Sequence, residues 1–370
     1  MPPRLRFVFA FVLTAALLCL AGTAAARTPS LEVVAGGLDN PRGLAISGSG
    51  SIYVAEAGRG GDGPCIAGPE EEGGDVCVGS TGAVTKVWRG GQRRIVTGLP
   101  SAAGADGSAS GPHDIALKSW GGSYVIVGLG GSPETRALFG PLGAGLGHLY
   151  SASYSGKARP IADLTAFEAA EDPDGEGVDS NPYSVLSHRG KLVVADAGGN
   201  SLVKVGRRGL STGAVFPSRL VASPPGIPDL PPELPMQAVP TSVVAGPDGA
   251  LYVGQLTGFP FPVGGANVYR VEPGEAPEVY ATGFTNVIDI AFDRRGNLYV
   301  LEIATNGLLS GDSTGALYRV SRKGGAPKLV VSEGLDAPGG LAISRWGDVF
   351  ISNHGTSVGT GEVVRLDYGR

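Results

Sequence analysis

The chain has 370 residues, among them Gly 62 and Pro 28, with 42% apolar residues, only 17% charged residues and a formal net charge of -5. Glycine and proline at that level interrupt long amphipathic helices and favour tight turns, so a helical bundle is excluded and an all-β chain is indicated. The acidic balance, with no basic cluster along the sequence, gives no electrostatic reason to bind nucleic acid or an anionic lipid surface.

At the N-terminus Arg4 and Arg6 precede an apolar run over residues 7–21 and the small residues Thr23-Ala24-Ala25-Ala26. This is the pattern of a secretory signal peptide over residues 1–26, cleaved near Ala26, and it predicts a secreted or cell-envelope-associated protein without a lipid anchor. No later run approaches the roughly 20 apolar residues of a membrane-spanning helix. Residues 27–370 are then the folded part. Beyond the leader the cysteines are Cys65 and Cys77. An oxidising compartment predicts a disulfide between them, closing an acidic, glycine-rich segment at a gain of about 3 kcal/mol in loop entropy. With no histidine nearby the pair is a poor zinc set.

From residue 40 onward one pattern recurs six times. Its opening is usually led by proline: Asn40-Pro41-Arg42-Gly43-Leu44, Gly111-Pro112-His113-Asp114-Ile115, Asn181-Pro182-Tyr183-Ser184-Val185, Val239-Pro240-Thr241-Ser242-Val243, Asn286-Val287-Ile288-Asp289-Ile290 and Ala337-Pro338-Gly339-Gly340-Leu341. Each opening is followed by a short polar turn and a second strand such as Leu251-Tyr252-Val253-Gly254 or Leu298-Tyr299-Val300-Leu301. A third strand follows, with a Lys or Arg near its end in five copies, as in Asn267-Val268-Tyr269-Arg270-Val271. Sheets of this size cannot bury both faces alone, and radial stacking removes that apolar surface from water. The expected fold is therefore an all-β, six-bladed propeller, with blades near 40–100, 111–165, 181–221, 239–284, 286–333 and 337–370. The last copy runs out after its third strand, while residues 31–35 form an orphan strand before the first. Together they are expected to complete one blade, which closes the ring and removes an open edge. A β-sandwich would not require six equivalent openings and a leftover strand.

Long segments at 57–82, 101–110, 129–145, 166–179, 222–237, 257–265 and 305–314 fall after second strands or between blades, which places them all on one side of the disc. That side is the expected working face. Polar residues end the second strands there: Glu56, Asp196, Gln255, Glu302 and Asn353, with His354 beside the last. The openings add Asn40, Arg42, His113, Asp114, Asn181, Tyr183, Asn286 and Asp289. Carboxylates, amides and imidazoles at one axial mouth suit a divalent cation such as Ca²⁺ or a polar ligand, and suit equally the capping of strand ends. His148 and His188 are expected to be structural or solvated. No Walker loop or His-Glu-x-x-His is present.

Residues 37–45 (Gly-Leu-Asp-Asn-Pro-Arg-Gly-Leu-Ala), 110–114 (Ser-Gly-Pro-His-Asp), 178–183 (Val-Asp-Ser-Asn-Pro-Tyr) and 256–262 (Leu-Thr-Gly-Phe-Pro-Phe-Pro) resemble the ScyD/ScyE family of exported, NHL-like propellers. The resemblance spans most of residues 31–366. It implies the fold and export, and it transfers no catalytic residue. Two enzyme families of the same architecture frame the alternative. In regucalcin-like lactonases a glutamate opens the first inner strand to hold a metal, where this chain has Arg42, and Gly339-Gly340 stands in place of a helpful asparagine. Soluble quinoprotein sugar dehydrogenases share the look of residues 37–44 and use a histidine base, a part His113 could take. The expectation is thus a monomeric binding propeller that presents its long-loop face to an extracellular protein, glycan or small polar ligand. The alternative is a metal- or quinone-dependent enzyme on the same face, with His113 and Asp114 as the catalytic candidates.

Overall fold

A computed structural model describes residues 29–68 and 74–368. The signal peptide expected over residues 1–26 lies outside them. Six antiparallel sheets stand around an axis, each running from an inner to an outer strand. Blade 1 comprises Pro41–Ile46, Ile52–Glu56, Asp75–Trp88 and Gly91–Ala103, and blade 2 Pro112–Leu117, Ser123–Val127, His148–Ala152 and Ala158–Asp163. Blade 3 comprises Pro182–His188, Lys191–Asp196, Ser201–Gly206 and Gly209–Val215, and blade 4 Pro240–Ala245, Leu251–Gln255, Ala266–Val271 and Glu278–Phe284. Blade 5 comprises Val287–Phe292, Leu298–Glu302, Ala316–Val320 and Lys328–Val331. In blade 6 Gly340–Ile343, Val349–Asn353 and Gly361–Asp367 are completed on the outside by Ser30–Leu38. The N-terminal strand pairs antiparallel with the last one, Leu31 opposite Leu366 and Val33 opposite Val364, so the expected closure is formed.

The second strands show why these residues make blades. Successive side chains of a strand point to opposite faces, and here both faces are buried against neighbouring sheets. Tyr299 and Leu301 pack with Leu341, Ile351 and Val364 toward blade 6, while Leu298 and Val300 pack with Tyr252 and Val268 toward blade 4. A strand buried on both sides needs an unbroken apolar run, which is what the sequence carries at each second strand. Among the described residues each junction between blades holds one large apolar cluster.

Three of the expected loops, 57–82, 101–110 and 222–237, contain strand instead. Asp75–Trp88 and Gly91–Ala103 run past the blade as a long hairpin that also pairs Cys65–Ala67 and Ala109–Ser110. Cys65 and Cys77 face each other across that extension and form the disulfide. The glycines of the segment suggested a loop, and the alternating Val76-Cys77-Val78 pattern prevails. Between blades 3 and 4 a second small hairpin, Arg219–Ala222 with Glu233–Met236, occupies a proline-rich crossover. These additions, with the helix Leu164–Glu171 and the short helices Pro133–Leu138 and Gly140–Gly143, lie on the side opposite the tight first turns. In those turns a glycine takes the left-handed position, as at Gly249 (φ 87°) and Gly347 (φ 94°).

Candidate functional site

The polar ends of the second strands are built into the blades. Behind each, the residue just past the strand donates its N–H to the carbonyl that precedes the inner strand: Ala57 to Asn40, Gly128 to Gly111, Ala197 to Asn181, Leu256 to Val239, Ile303 to Asn286 and Gly355 to Ala337. The side chains add the reverse bond. Glu56 accepts from the Asp39 N–H at 2.9 Å, Asp196 from Asn181 at 2.7 Å, Glu302 from Thr285 at 2.7 Å and Asn353 from Asp336 at 2.8 Å. Gln255 instead accepts from the Asn267 N–H and the Tyr269 hydroxyl. All five are buried. Glu56 is further paired with Arg94, and Asp196 receives the Ser180 hydroxyl and the Gly199 N–H. Glu56, Asp196, Glu302 and Asn353 thereby clip the incoming chain to the second strand in four of the blades. Among the described residues none belongs to a group of three carboxylate, imidazole or thiolate ligands within reach of one ion. Asn40 and Asn286 act similarly, at φ 50° and φ 45°, with amides donating to Gly58 and Gly107 and to Leu256 respectively. His354 sits at the rim of blade 6, its Nδ1 3.0 Å from the Asp336 carboxylate.

A different set meets near the axis. In five inner strands the register shifts just after the opening residue. A bulge of this kind re-aims side chains. It brings the His113 and Tyr183 rings to 4.5 Å, with Arg42 close to both. Arg42 Nη2 donates to the Ala109 carbonyl at 3.1 Å, yet its Nε has no partner. Neither has His113 Nδ1 nor Asn181 Oδ1, and all three atoms are buried. Gly128 makes the room: a methyl there would collide with the His113 ring and lie 2.8 Å from Asn181 Oδ1. Burial first, then the Arg42 charge, holds His113 down at about 3, so the imidazole is neutral. Burial raises the Tyr183 hydroxyl.

One layer further along the axis, hydrogen bonds join blade to blade. Asp114 accepts from Ser184 Oγ at 2.8 Å and Val185 N–H at 2.9 Å, and Ser184 Oγ accepts from the Val243 N–H. Ser242 Oγ donates to Asp289 at 2.6 Å, and Asp289 takes the Leu341 N–H at 2.7 Å. Ser352 Oγ then donates to the Arg42 carbonyl at 2.7 Å. Gly43 completes the circuit by lying against Asp114, where an added Cβ would be 2.9 Å from its Cα. Burial pushes Asp114 up to about 7, with Asp289 adding repulsion, and burial pushes Asp289 up to about 6. Below this ring a cavity of about 270 Å³, walled by residues such as Ile115, Val185, Val243 and Ile290, continues toward the short-turn side.

The structure thus brings Arg42, His113, Tyr183 and Asn181 together, and commits Asp114 and Asp289 to the ring. Sequence reasoning missed Gly128. The available signal was the break in the row of polar strand ends, where blade 2 has Val127 followed by glycine.

The sequence matches no protein-family model and no curated protein. Solved structures do share its shape. A streptogramin B lyase aligns over 93% of this chain and 100% of its own at 13% identity with a TM-score of 0.51. The PQQ-bound aldose sugar dehydrogenase of Streptomyces coelicolor aligns over 93% and 99% at 12% identity with a TM-score of 0.53. A glucose dehydrogenase aligns over 92% and 99% at 13% identity with a TM-score of 0.55. The fold is that of a six-bladed β-propeller. At such identities the likeness is one of fold, and chemistry does not travel with it.

Proposed function

We propose that this is an exported binding propeller whose long-loop face takes up a small polar ligand of anionic character at the mouth formed by Arg42, His113, Tyr183 and Asn181. One observation carries the reading: three buried polar atoms, Arg42 Nε, His113 Nδ1 and Asn181 Oδ1, have no partner among the described residues. Buried polar groups are nearly always satisfied, and orphans gathered in one place are what a missing ligand leaves. Arg42 offers an N–H and a fixed charge, His113 a lone pair, and Tyr183 an aromatic edge. A carboxylate or phosphate with a neighbouring hydroxyl matches that set.

Binding is favoured over catalysis because a histidine held at about 3 is a weak proton acceptor near neutrality. Asp114, the other candidate for proton transfer, is tied to three donors of the ring. The likeness to ScyD/ScyE proteins and the Cys65–Cys77 disulfide support export, since such bonds persist in oxidising compartments. The test is calorimetric titration with gluconate, citrate and inorganic phosphate. At least one is expected to bind, and Arg42→Met should weaken it roughly 10- to 100-fold, the range of a lost charged hydrogen bond, with the circular-dichroism spectrum unchanged. Silence of all three probes at millimolar concentration, or equal binding by Arg42→Met and His113→Phe, would remove the proposal.

A further inference from the structure

The crossover between blades 2 and 3 carries a second concentration of unpaired polar atoms, away from the axis. The helix Leu164–Glu171 starts on Asp163, whose carboxylate accepts from the Ala166 N–H at 3.0 Å, and ends on Asp172 in the left-handed region at φ 40°. That reversal turns the chain back under the helix. As a result carboxylate oxygens of Glu168, Asp172 and Asp174 all lie within 4.8 Å of one another. Glu168 is fully buried, and both of its oxygens lack a hydrogen-bond partner among the described residues. Gly199 covers it so closely that an added Cβ would be 2.7 Å from its carboxyl carbon.

From this geometry we infer a divalent-cation site, of the hard, oxygen-loving kind that Ca²⁺ represents, held by Glu168, Asp172 and Asp174. Three arguments support it. Two oxygens on a Ca²⁺ sphere of about 2.4 Å radius stand at most about 4.8 Å apart, and the three carboxylates fall inside that limit. The donors are oxygen only, with no sulfur or imidazole in the group, which suits Ca²⁺ better than zinc or copper. Finally, protonating Glu168 does not resolve its position. A neutral carboxyl would still leave its carbonyl oxygen without a donor, whereas a cation satisfies both oxygens at once. The other charges that act on it are also negative, from Asp196 and Asp179, so no side-chain cation does the work.

The surrounding bonds hold the ligands ready. Asp174 accepts from the Glu176 N–H at 3.0 Å and from the Asn200 amide at 2.8 Å, and Asp172 accepts from the Gly177 N–H at 3.3 Å. Asn200 in turn receives the Val239 N–H, and Glu176 accepts from Ser218 and Gln237. One ion would therefore fasten the blade 2–3 crossover, the second-to-third-strand loop of blade 3 and the blade 3–4 crossover into a single ordered sector of the long-loop face.

The experiment uses protein dialysed against chelator and titrated with CaCl2 and MgCl2, read by calorimetry and by thermal unfolding. The wild type should bind one Ca²⁺ more tightly than Mg²⁺ and melt at higher temperature with Ca²⁺. Glu168→Gln and the partly exposed Asp174→Asn should each weaken Ca²⁺ roughly tenfold or more, while Asp106→Asn, on the same face but outside the group, should not. No heat and no change in melting temperature for the wild type at 5–10 mM Ca²⁺, roughly the weak end of protein sites and beyond, overturns the inference. So does Ca²⁺ binding that survives both substitutions undiminished.

Discussion

Buried carboxyl groups dominate the chemistry of single residues in this protein. Burial pushes Asp114 and Glu302 up to about 7, and Asp196 and Asp289 up to about 6. A folded-state value above that of the unfolded chain means the folded protein binds more protons across the interval, so stability falls as pH rises through it. His113, lowered to about 3, has the opposite sign, and its contribution is complete above the unfolded imidazole value near 6.5. Between pH 6.5 and 8 the carboxyl groups therefore act with little opposition, and the melting temperature should decline; scanning calorimetry at 0.5-unit steps would contradict this if the midpoint rose. The glycines at the axis are the second residue-scale dependence. Gly128→Ala forces a methyl into the His113 ring, and overpacking of that kind costs about 1–3 kcal/mol. The substitution should lower the melting temperature and displace the ring that borders the mouth.

Strands and loops divide sharply in how well they could be read. The blades were legible because the physical demand on them is periodic: a strand sandwiched between two sheets must be apolar on both faces, and the same demand returns at each step around the axis. The closing strand was legible for a related reason, since the last copy lacked an outer partner that residues 31–35 could supply. Its removal should expose the Gly361–Asp367 edge, and a chain lacking residues 29–38 is expected to elute as aggregates on size-exclusion chromatography, where an intact monomeric profile would contradict the pairing. The long hairpin of blade 1 was not legible, because its glycines mask an alternating pattern whose pairing partners, Cys65–Ala67 and Ser101–Ala103, lie on other stretches of the chain. Reduction should loosen that extension locally, by up to about 3 kcal/mol of chain entropy, and speed tryptic cleavage after the exposed Arg59; an unchanged cleavage rate would show the hairpin holding without its disulfide. Side-chain direction was the least legible feature of all. Whether Glu56 or Asp196 faces a ligand or a backbone N–H depends on the bulge and on the return path of the crossover, and neither is written in the local residue pattern.

At the scale of the whole molecule, the two ends of the axis differ. The ring from Asp114 around to Gly43 ties every blade to the next and lies between the mouth on the long-loop side and a cavity on the short-turn side, which Asp114, Ser184, Ser242 and Asp289 line together with apolar side chains. The bulged openings of the inner strands supply the side chains of the mouth, and the sheets behind them hold those openings in place. Crystallographic density at the mouth, from crystals grown with gluconate, citrate or phosphate, tests this most directly. An ordered molecule is expected between Arg42, His113 and Asn181, accepting from the arginine and donating to the imidazole. Ligand density confined to the cavity beneath Asp114 and Asp289, with the mouth closed by the protein's own side chains, would contradict it.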